Sequence, residues 1–336
     1  MDFDELDLQL INALQIQPRV PWTRLGKILS VDPVTLSRRW ERLEAEGLAW
    51  VTAYPSPDTA AVTAAAIVEI EARAGGLQDL TRVLGQDAEA VSIDVTAGGR
   101  DLVVTVGASS DQALYRYLLD RVETLELVSR VHSHPVSRLL AEASQWRLRA
   151  LDTSQVQALK SSDAVTSTAR KPSPVDLPIA LELARDGRAG VSEISERLSL
   201  NPRRVRESIA AQISSGRLRI RTDIVRSHSG WPVSAWYFLS APAGQTEQMG
   251  SRLGRLDEVR AVMSVVGRYN IAVAVWMRTL DDVSRLEAAI EKQLPDVRIV
   301  DRSVVMRSTK QVGNLLDNDG RRWGYVPTTS FPVTGT

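Results

Sequence analysis

The sequence predicts an α+β protein made of two copies of one unit, in which a three-helix domain precedes a domain of strands and helices. Three observations predict this architecture. First, 336 residues are enough for two to four domains of about 100–200 residues each. Second, apolar residues recur at helical spacing in some segments and at strand spacing in others. Third, the sequence repeats its own pattern of apolar and turn residues at a fixed offset.

The repeat has an offset of 169 residues, which we call the repeat register. It aligns the segment from Trp22 to Pro33 with the segment from Val191 to Pro202 without a gap. Further along, the same offset aligns Gly47 with Gly216, Gly98 with Gly267, Asp101 with Asn270 and Val131 with Val300. A period of this length is too long for a solenoid. We therefore interpret the chain as one two-domain unit present twice.

The composition is that of a globular protein with balanced charge. The chain has 41 basic and 41 acidic side chains, 43% hydrophobic residues and no cysteine. The lack of cysteine excludes disulfides, thiolate metal sites and a cysteine nucleophile. No apolar run approaches the roughly 20 residues that span a bilayer, and the acidic start is unlike a secretory peptide. We therefore expect a cytoplasmic protein without membrane segments, in which local basic patches are still compatible with zero net charge.

The first helical domain begins with a helix over residues 4–17, whose apolar residues recur at helical spacing. A short second helix ends before Ser30. In the third helix, Asp32 is an N-cap acceptor, Pro33 occupies the first helical position and Gly47 follows the last turn. Three short helices with a tight turn before the third predict a helix-turn-helix. The second copy repeats these signals in the repeat register.

Each helical domain is followed by the order strand, helix, strand, strand, helix, strand. In the first copy these elements are predicted at Val62–Ile70, Leu77–Leu84, Ala90–Thr96, Leu102–Val106, Gln112–Val122 and Val128–Val136. In the second copy they are predicted at Ser234–Leu239, Gln245–Leu253, Val259–Val265, Ile271–Val275, Asp282–Gln293 and Val297–Val305. This order is a ferredoxin-like arrangement. One such sheet leaves edges that need covering, so we expect it to pair with another copy.

The predicted parts are helix-turn-helix domains at residues 1–52 and 175–222, ferredoxin-like domains at 60–140 and 232–310, an arm and linker at 141–174, and a tail at 311–336. The linker Ser161–Pro174 is rich in Ser, Thr and Pro and is predicted to be flexible. The tail after Gly324 is predicted to be frayed. The apolar arm around Trp146 and Leu151 favours a homodimer or higher oligomer of whole chains. Whether the two copies pair within one chain or between chains stays open.

Two patterns carry a family resemblance. The first is Asp4-x-x-Asp7-x-x-Leu10-Ile11, then Arg19, Leu25 and Asp32-Pro33-x-Thr35-Leu36-Ser37-x-Arg39-Trp40-x-x-Leu43-Glu44-x-Glu46-Gly47-Leu48. The second is the turn Gly98-Gly99-Arg100-Asp101-Leu102, present again as Gly267-Arg268-Tyr269-Asn270-Ile271. Both resemble the Lrp/AsnC (feast/famine) transcription regulators. The second helix-turn-helix is the looser match, because Ser208-Ile209 stands where the family has an Arg-apolar step. The resemblance implies a DNA-binding regulator modulated by an amino acid or similar metabolite, and not an enzyme.

The expected partner is double-stranded DNA, which a recognition helix contacts with its N-terminal residues in the major groove. Outward-facing residues lie off the apolar stripe of each third helix. The candidate DNA-binding residues are Thr35, Ser37, Arg38, Arg42, Arg203, Arg204 and Arg206. The set on the second recognition helix is more basic, so the release of counterions from DNA favours it as the tighter-binding set. The closer match to the family favours the set on the first recognition helix. We keep both sets as candidates. The alternative is that these are solvated faces of ordinary helices.

The resemblance also implies an effector pocket near the glycine turn, at the interface between two ferredoxin-like domains. Glycine permits close approach of the backbone, so that backbone N–H groups can hold a carboxylate, and an aspartate can accept hydrogen bonds from an ammonium. An amino-acid ligand carries both of these groups. The candidate effector-binding residues are Thr96, Gly98, Arg100, Asp101, Gly267, Tyr269 and Asn270. Because Asn270 lacks a charge and Arg100 replaces an aromatic residue, we expect at most one competent site. The alternative is an ordinary β-turn.

Two other function classes stay open. Siroheme decarboxylases resemble this fold, helix-turn-helix included, and hold a tetrapyrrole with His and Arg residues, of which Arg268-Tyr269-Asn270 gives a faint echo. The chain has only three histidines and two basic recognition helices, which argues against that enzyme. A co-regulator that only scaffolds partners is the other alternative. His132 and His134 share one face of a predicted strand, but we expect no metal site and no cofactor.

Overall fold

The computed structural model describes residues 3–56, 64–141, 147–161 and 172–330. The chain divides into two compact units, and each unit draws on both halves of the sequence. We call them the helical unit, comprising Met1–Ala61, Arg147–Val225 and Ser330–Thr336, and the sheet unit, comprising Val62–Trp146 and Arg226–Thr329. Within the described residues, no helix is long and apolar enough to cross a membrane.

The elements of the first half, in chain order, are α1 (Glu5–Ile16), α2 (Trp22–Leu29), α3 (Pro33–Ala45), β1 (Ala49–Pro55), β2 (Ala64–Ala72), α4 (Leu77–Gly85), β3 (Ala90–Thr96), β4 (Leu102–Ala108), α5 (Asp111–Arg116, continued by a π-helical turn at Tyr117–Val122) and β5 (Val128–Ala141). The next elements are α6 (Thr153–Lys160), α7 (Asp176–Arg185), α8 (Val191–Leu198), α9 (Pro202–Ser214), β6 (Leu218–Ile224), β7 (Val233–Ser240), α10 (Thr246–Leu253), β8 (Val259–Val265), β9 (Ile271–Met277), α11 (Asp282–Gln293), β10 (Arg298–Gln311), β11 (Asn314–Leu316) and β12 (Arg322–Tyr325).

The helix starts in the helical unit follow the local sequence signals. The Asp32 side chain accepts hydrogen bonds from the backbone N–H groups of Val34 and Thr35 at the start of α3. Asn201 does the same for Arg203 at the start of α9. In both helices proline occupies the first turn, where its missing N–H has no partner to lose.

The two helix-turn-helix segments are joined by a two-stranded antiparallel sheet. β1 pairs with β6 along its whole length, from Ala49 opposite Ile224 to Pro55 opposite Leu218. The Thr52 hydroxyl donates to the carbonyl of Ala184 at 2.7 Å, at the C-terminal end of α7. The Thr222 hydroxyl donates to a carbonyl near the end of α1 at 2.8 Å. Each strand therefore caps the first helix of the other segment.

The sheet unit is a closed barrel, which differs from the open sheets expected from the sequence. Its strand order is β12-β11-β10-β3-β4-β2-β5-β8-β9-β7, and β7 also pairs with β10. The strands β10, β3, β4, β2, β5, β8, β9 and β7 thus form a ring. The edges of the two predicted sheets, which were expected to need another copy, are paired within this chain, because closure gives each strand of the ring a partner on both sides.

Closure depends on β5 and β10, which are longer than predicted. The predicted strands ended at Val136 and Val305, whereas β5 continues to pair with β8 and β10 continues to pair with β3. The extension of β5 is accommodated by α10, where an added Cβ on Gly250 would lie 2.2 Å from Leu140 Cδ1. A glycine at this position lets the strand approach the helix closely.

The predicted tail at 311–336 needs a second correction, because β11 and β12 extend the sheet beyond residue 311. The Gly313 N–H donates to the carbonyl of Val91 at 3.0 Å, and the Thr329 N–H donates to the carbonyl of Ala88 at 3.2 Å. Gly313 adopts a φ of 80°, a left-handed conformation that favours glycine and permits the tight turn before β11. The segment up to Thr329 is therefore an ordered strap on the first half of the barrel, whereas residues 331–336 lie outside the described residues.

The predicted arm packs on its own chain. The Asn12 side-chain oxygen accepts from the backbone N–H groups of Ala150 and Leu151, at 2.8 and 3.2 Å. In α6, Leu159 is fully buried, and the Ala158 carbonyl accepts from Arg24 at 2.7 Å. The described part of the arm is therefore engaged within its own chain, and the dimer of whole chains stays a prediction. Trp146 and linker residues 162–171 lie outside the described residues.

Candidate functional site

The recognition helices α3 and α9 bury an apolar stripe and expose a polar face. On α3, Thr35 and Arg38 are exposed, and the Ser37 hydroxyl donates to Glu41 at 2.9 Å. On α9 the exposed arginines are Arg203, Arg204 and Arg206. Arg203 forms an ion pair with Glu207 at 2.8 Å, one turn along the helix. The two exposed faces therefore differ in charge.

Arg42 contacts another helix of its own domain. Its guanidinium forms an ion pair at 2.7 Å with Asp7 of α1, a carboxylate that is 2% exposed, and Arg39 binds the same carboxylate at 2.9 Å. In the repeat register Asp7 corresponds to Asp176, which accepts from the Ser208 hydroxyl at 2.6 Å. Ser208, which departs from the family's arginine, thus still donates to the acidic residue of the first helix.

Two arginines exchange contacts between the helix-turn-helix segments. Arg19 donates to the carbonyls of Gly187 and Ala189, at 2.6 and 3.0 Å. Arg188, its counterpart in the repeat register, donates to the carbonyl of Pro18 at 2.5 Å, and its guanidinium lies 3.9 Å from the ring centroid of Trp22. Burial lowers the pKa of Arg188 to about 10. This pair was not among the functional residues predicted from the sequence, although the recurrence of arginine at the repeat offset was a usable signal.

The acidic and amide residues of the two glycine turns brace the turns. The Asp101 carboxylate accepts from the backbone N–H of Ala72 at 2.7 Å. Asn270 accepts from the N–H of Ala241 at 2.9 Å and donates to the carbonyl of that same residue at 2.8 Å. Ala72 and Ala241 are themselves equivalent in the repeat register. The Thr96 hydroxyl donates to the Arg100 carbonyl at 3.0 Å, which adds a further contact within the first turn.

Arg100 and Tyr269 point from the two turns into the barrel and meet at Glu69. The Arg100 guanidinium forms an ion pair with one Glu69 oxygen, and the Tyr269 hydroxyl donates to the other. His134 Nε2 lies 2.9 Å from this second oxygen, and its ring centroid lies 4.3 Å from that of Tyr269. Arg100 also donates to the Ser303 hydroxyl at 2.8 Å and contacts Asp301. All of these side chains except Asp301 are buried, so the group is a polar core within the barrel.

The charge states in this polar core follow from its contacts. Burial raises the pKa of the Glu69 carboxyl, but hydrogen bonds from His134 and Tyr269 and the Arg100 charge outweigh it, so the net pKa is lowered. Burial and the Glu69 carboxylate raise the pKa of the Tyr269 phenol well above its usual value. Glu69 is therefore an ionised acceptor and Tyr269 a protonated donor.

A cavity of about 240 Å³ opens beside the first glycine turn. Its lining residues are Ala97, Gly98, Ala235, Tyr237, Val283, Arg302, Ser303 and Val304. Arg302 Nε lies 2.8 Å from Glu287 Oε1, and the Tyr237 hydroxyl donates to the same oxygen at 3.4 Å. Of the candidate effector residues, Gly98 lines the cavity. Tyr237 and Arg302 were missed, because nothing in a strand sequence identifies the partner strand across a closed barrel.

The histidine pair does not form a shared site. His132 is exposed, whereas His134 is buried against Glu69. Among the described residues, no group of three or more His, Asp or Glu side chains is arranged to hold a metal ion.

Comparisons with known proteins cover the first half of the chain by sequence and nearly all of it by fold. Residues 3–44 match the AsnC-type helix-turn-helix domain, and residues 65–146 match the Lrp/AsnC ligand binding domain. The HTH-type transcriptional regulator FL11 of Pyrococcus furiosus is 27% identical over 143 residues, which are 42% of this chain and 94% of the relative. The FL11 protein of Pyrococcus horikoshii is 24% identical over 147 residues, or 44% of this chain and 97% of the relative.

Among solved structures, the siroheme decarboxylase NirDL has a TM-score of 0.56 at 13% sequence identity. The alignment covers 92% of this chain and 93% of NirDL. At this level of identity the likeness shows a common fold for the two proteins and carries no information on activity.

Proposed function

We propose that this chain, whose residues 3–44 and 65–146 match the two Lrp/AsnC domains, is a transcriptional regulator that carries a complete pair of DNA-binding domains. The observation that carries the proposal is the β1–β6 pairing, which joins both helix-turn-helix segments in one compact unit. In the Lrp/AsnC-like proteins that this chain resembles, two identical chains pair symmetrically and supply one such domain each. Here the reciprocal contacts of Arg19 and Arg188 hold the pair together within one chain.

Tandem duplication of an Lrp/AsnC unit explains this arrangement best. The order of helices and strands from α1 to β5 recurs from α7 to β10. Contacts recur as well, since Asp7 and Asp176 both tie the first helix to the third, and Asp101 and Asn270 both brace a glycine turn. Shared contacts at equivalent positions support duplication more strongly than a shared order of elements does.

The two recognition helices are proposed to read unequal half-sites. The exposed face of α3 offers Thr35 and Arg38, whereas that of α9 offers three arginines. A symmetric dimer reads a palindrome because its two recognition helices are identical. This chain has two different recognition helices, so its preferred operator is asymmetric, and the α9 half contributes more phosphate neutralisation.

A small-molecule effector is proposed to bind in the cavity beside Gly98. The cavity combines apolar walls with the Arg302 guanidinium, which suits the carboxylate of an amino acid. It lies in the sheet unit, part of which matches the Lrp/AsnC ligand binding domain, and it is bordered by the glycine turn near which the resemblance implies an effector. Ser303 joins this cavity to the polar core through its hydrogen bond with Arg100.

A tetrapyrrole enzyme is the second candidate, because the chain shares its fold with the siroheme decarboxylase NirDL over nearly its whole length, although a shared fold does not by itself indicate a shared activity. The site supports it less well. The cavity of about 240 Å³ is below the roughly 300–1,000 Å³ of pockets for drug-sized ligands. The buried histidine, His134, is also engaged by Glu69. A Soret band shift on adding a porphyrin to the purified chain would support the enzyme over the regulator.

Footprinting of the purified full chain on genomic DNA tests the regulator proposal. We expect protected sites with two unequal half-sites about one helical turn apart, a spacing of roughly 34 Å. Light scattering of the complex with one such duplex should give one chain for each pair of half-sites. Protection of palindromes by two chains, one on each half-site, would contradict the proposal. If no sequence is protected, the proposal that this chain binds specific DNA sites is wrong.

A further inference from the structure

We infer that Val34 contacts the C5 methyl group of a thymine in the half-site bound by α3, and that the half-site bound by α9 is read without such a contact. The inference rests on the proposed DNA-binding function, because it concerns a residue of a recognition helix. It adds a specificity-determining residue that was not among the candidate DNA-binding residues, and it names the base that this residue favours.

Val34 is an apolar side chain on the exposed face of α3, where it is 64% exposed. The side chains that α3 buries are Leu36, Trp40 and Leu43. Arg38 lies one turn after Val34, and with 3.6 residues per turn both side chains project from the side opposite this buried stripe. Val34 therefore belongs to the surface that α3 is proposed to present to DNA.

The fold does not require an apolar residue at this position. In the repeat register Val34 corresponds to Arg203, and each is the second residue of a 13-residue helix that begins with proline. Arg203 is exposed and forms an ion pair with Glu207, which corresponds to Arg38. Because an arginine at the same position is compatible with the same helix, the valine of α3 is not explained by packing.

The first turn of α3 is better suited to base edges than to phosphate. The backbone N–H groups of Val34 and Thr35 donate to the Asp32 side chain, at 2.9 and 3.1 Å. A helix N-terminus binds phosphate through such N–H groups when they are free. Here a carboxylate occupies them and repels a phosphate, whereas the cap of α9 is the uncharged Asn201. The exposed side chains of this turn are therefore left to contact bases.

Thymine is the base that a valine at this position favours. In the major groove it presents a methyl group, which apolar side chains recognise by direct contact. Valine has two methyl groups and no polar atom, so it would leave the donors and acceptors of another base edge without a partner. Arg203, at the equivalent position of α9, instead suits guanine or phosphate. The two half-sites should therefore differ in their response to the thymine methyl group.

The first experiment is binding-site selection from a pool of random-sequence duplexes, with the full wild-type chain and with Val34→Ser. We expect the sequences selected by the wild type to hold a thymine at one position of one half-site. Those selected by Val34→Ser should lose the preference at that position. Enrichment of no sequence would overturn the proposed DNA-binding function itself. Enrichment of the same bases by both proteins would overturn the inference and leave DNA binding intact.

The second experiment replaces that thymine by uracil, which lacks only the methyl group. The affinity of the wild type should fall by about fourfold, the effect of losing the burial of one methyl-sized group. The affinity of Val34→Ser should not fall further with uracil, because its contact is already absent. Val34→Thr keeps one methyl group and should retain the response. An equal effect of uracil on the wild type and on Val34→Ser would overturn the inference.

Two variants are matched controls. Arg203→Ser changes the equivalent residue of α9, so it should weaken binding without altering the response to uracil in the α3 half-site. Leu280→Ser removes an apolar side chain of similar exposure, 60%, from the sheet unit and should alter neither. Thermal unfolding checks that Val34→Ser is as stable as the wild type. Loss of the uracil response in Arg203→Ser as well would overturn the assignment of the contact to Val34.

Discussion

Arg100 and Tyr269 occupy equivalent positions in the two glycine turns, and both bind the carboxylate of Glu69. Each of these two side chains also contacts a residue in the opposite half of the chain. Arg100 lies 4.5 Å from the ring centroid of Phe238, the counterpart of Glu69, whereas Tyr269 packs on His134. The two turns therefore meet around one buried acid. This one polar contact joins the two halves of the barrel. A symmetric dimer of identical halves would have to form it twice.

Neutralising Glu69 should destabilise the sheet unit strongly. Glu69→Gln removes the buried one of the two carboxylates that pair with the Arg100 guanidinium, and breaking one partner of a buried pair costs about 3–5 kcal/mol. We expect the free energy of unfolding in urea to fall by about 3 kcal/mol. Arg268→Ala, at an exposed position of the neighbouring turn, serves as the control and should change it by less than about 0.5 kcal/mol. An equal effect of the two substitutions would show that the buried carboxylate contributes nothing specific.

Lys310 should make the stability of the chain depend on alkaline pH. Its ammonium is buried and donates to the Asp87 carbonyl at 2.7 Å, and burial lowers its pKa from 10.5 to about 8. Between pH 8 and 10.5 the unfolded lysine binds more protons than the folded one, so the unfolding free energy contributed by this group rises with pH. Each pKa unit corresponds to about 1.4 kcal/mol. Lys310→Met should remove this rise, and urea unfolding at pH 7.5, 8.5 and 9.5 measures it. Parallel pH profiles for the two proteins would contradict the assignment.

Arg188 should matter for DNA binding although its contacts are to Pro18, Val20 and the Trp22 ring, none of which is a candidate DNA-binding residue. Arg188→Ala removes its contacts to Pro18 and the Trp22 ring and loosens the pairing of the helix-turn-helix segments. We expect a loss of about 1–3 kcal/mol in the stability of the helical unit, together with weaker operator binding. Lys160→Ala, at the exposed end of α6, is the control. Operator affinity that stays the same in Arg188→Ala would show that the segments bind DNA independently.

Arg38 and Arg42 should behave differently although both lie on α3. Arg38 is exposed, so Arg38→Ala should weaken operator binding and, if it contacts phosphate, lower the salt slope by about one. Arg42 is paired with Asp7, so Arg42→Ala should lower thermal stability and leave the slope nearly unchanged. Electrophoretic mobility shifts at several salt concentrations, combined with thermal unfolding, separate the two outcomes. If instead Arg42→Ala lowers the salt slope and Arg38→Ala lowers only the thermal stability, then Arg42 contacts DNA and Arg38 does not.

Local signals predicted the helical elements well. The family resemblance drawn from Asp32-Pro33 and the Gly98 turn is confirmed by the matches to both Lrp/AsnC domains, as is the α+β class. Caps and turns are readable because the residues that form them are neighbours in sequence. The site residues remain predictions.

Contacts between segments that are distant in the chain could not be predicted from the sequence. Barrel closure depends on the extended ends of β5 and β10, whose partners lie far away in the sequence. Asp101 was expected to meet an ammonium, but in the structure its carboxylate accepts from the Ala72 backbone. A polar side chain at a turn serves either the backbone or a ligand, and only the position of the preceding strand distinguishes the two.

The most direct test of the central claim is a footprint of one operator with Arg38→Ala and Arg204→Ala. If one chain supplies both recognition helices, each variant should lose protection of a different half-site, since α3 and α9 contact opposite halves of the same complex. The wild-type chain on the same duplex provides the reference. Equal loss of both half-sites in each variant would contradict the account, because it would mean that identical helices from two chains occupy the two halves.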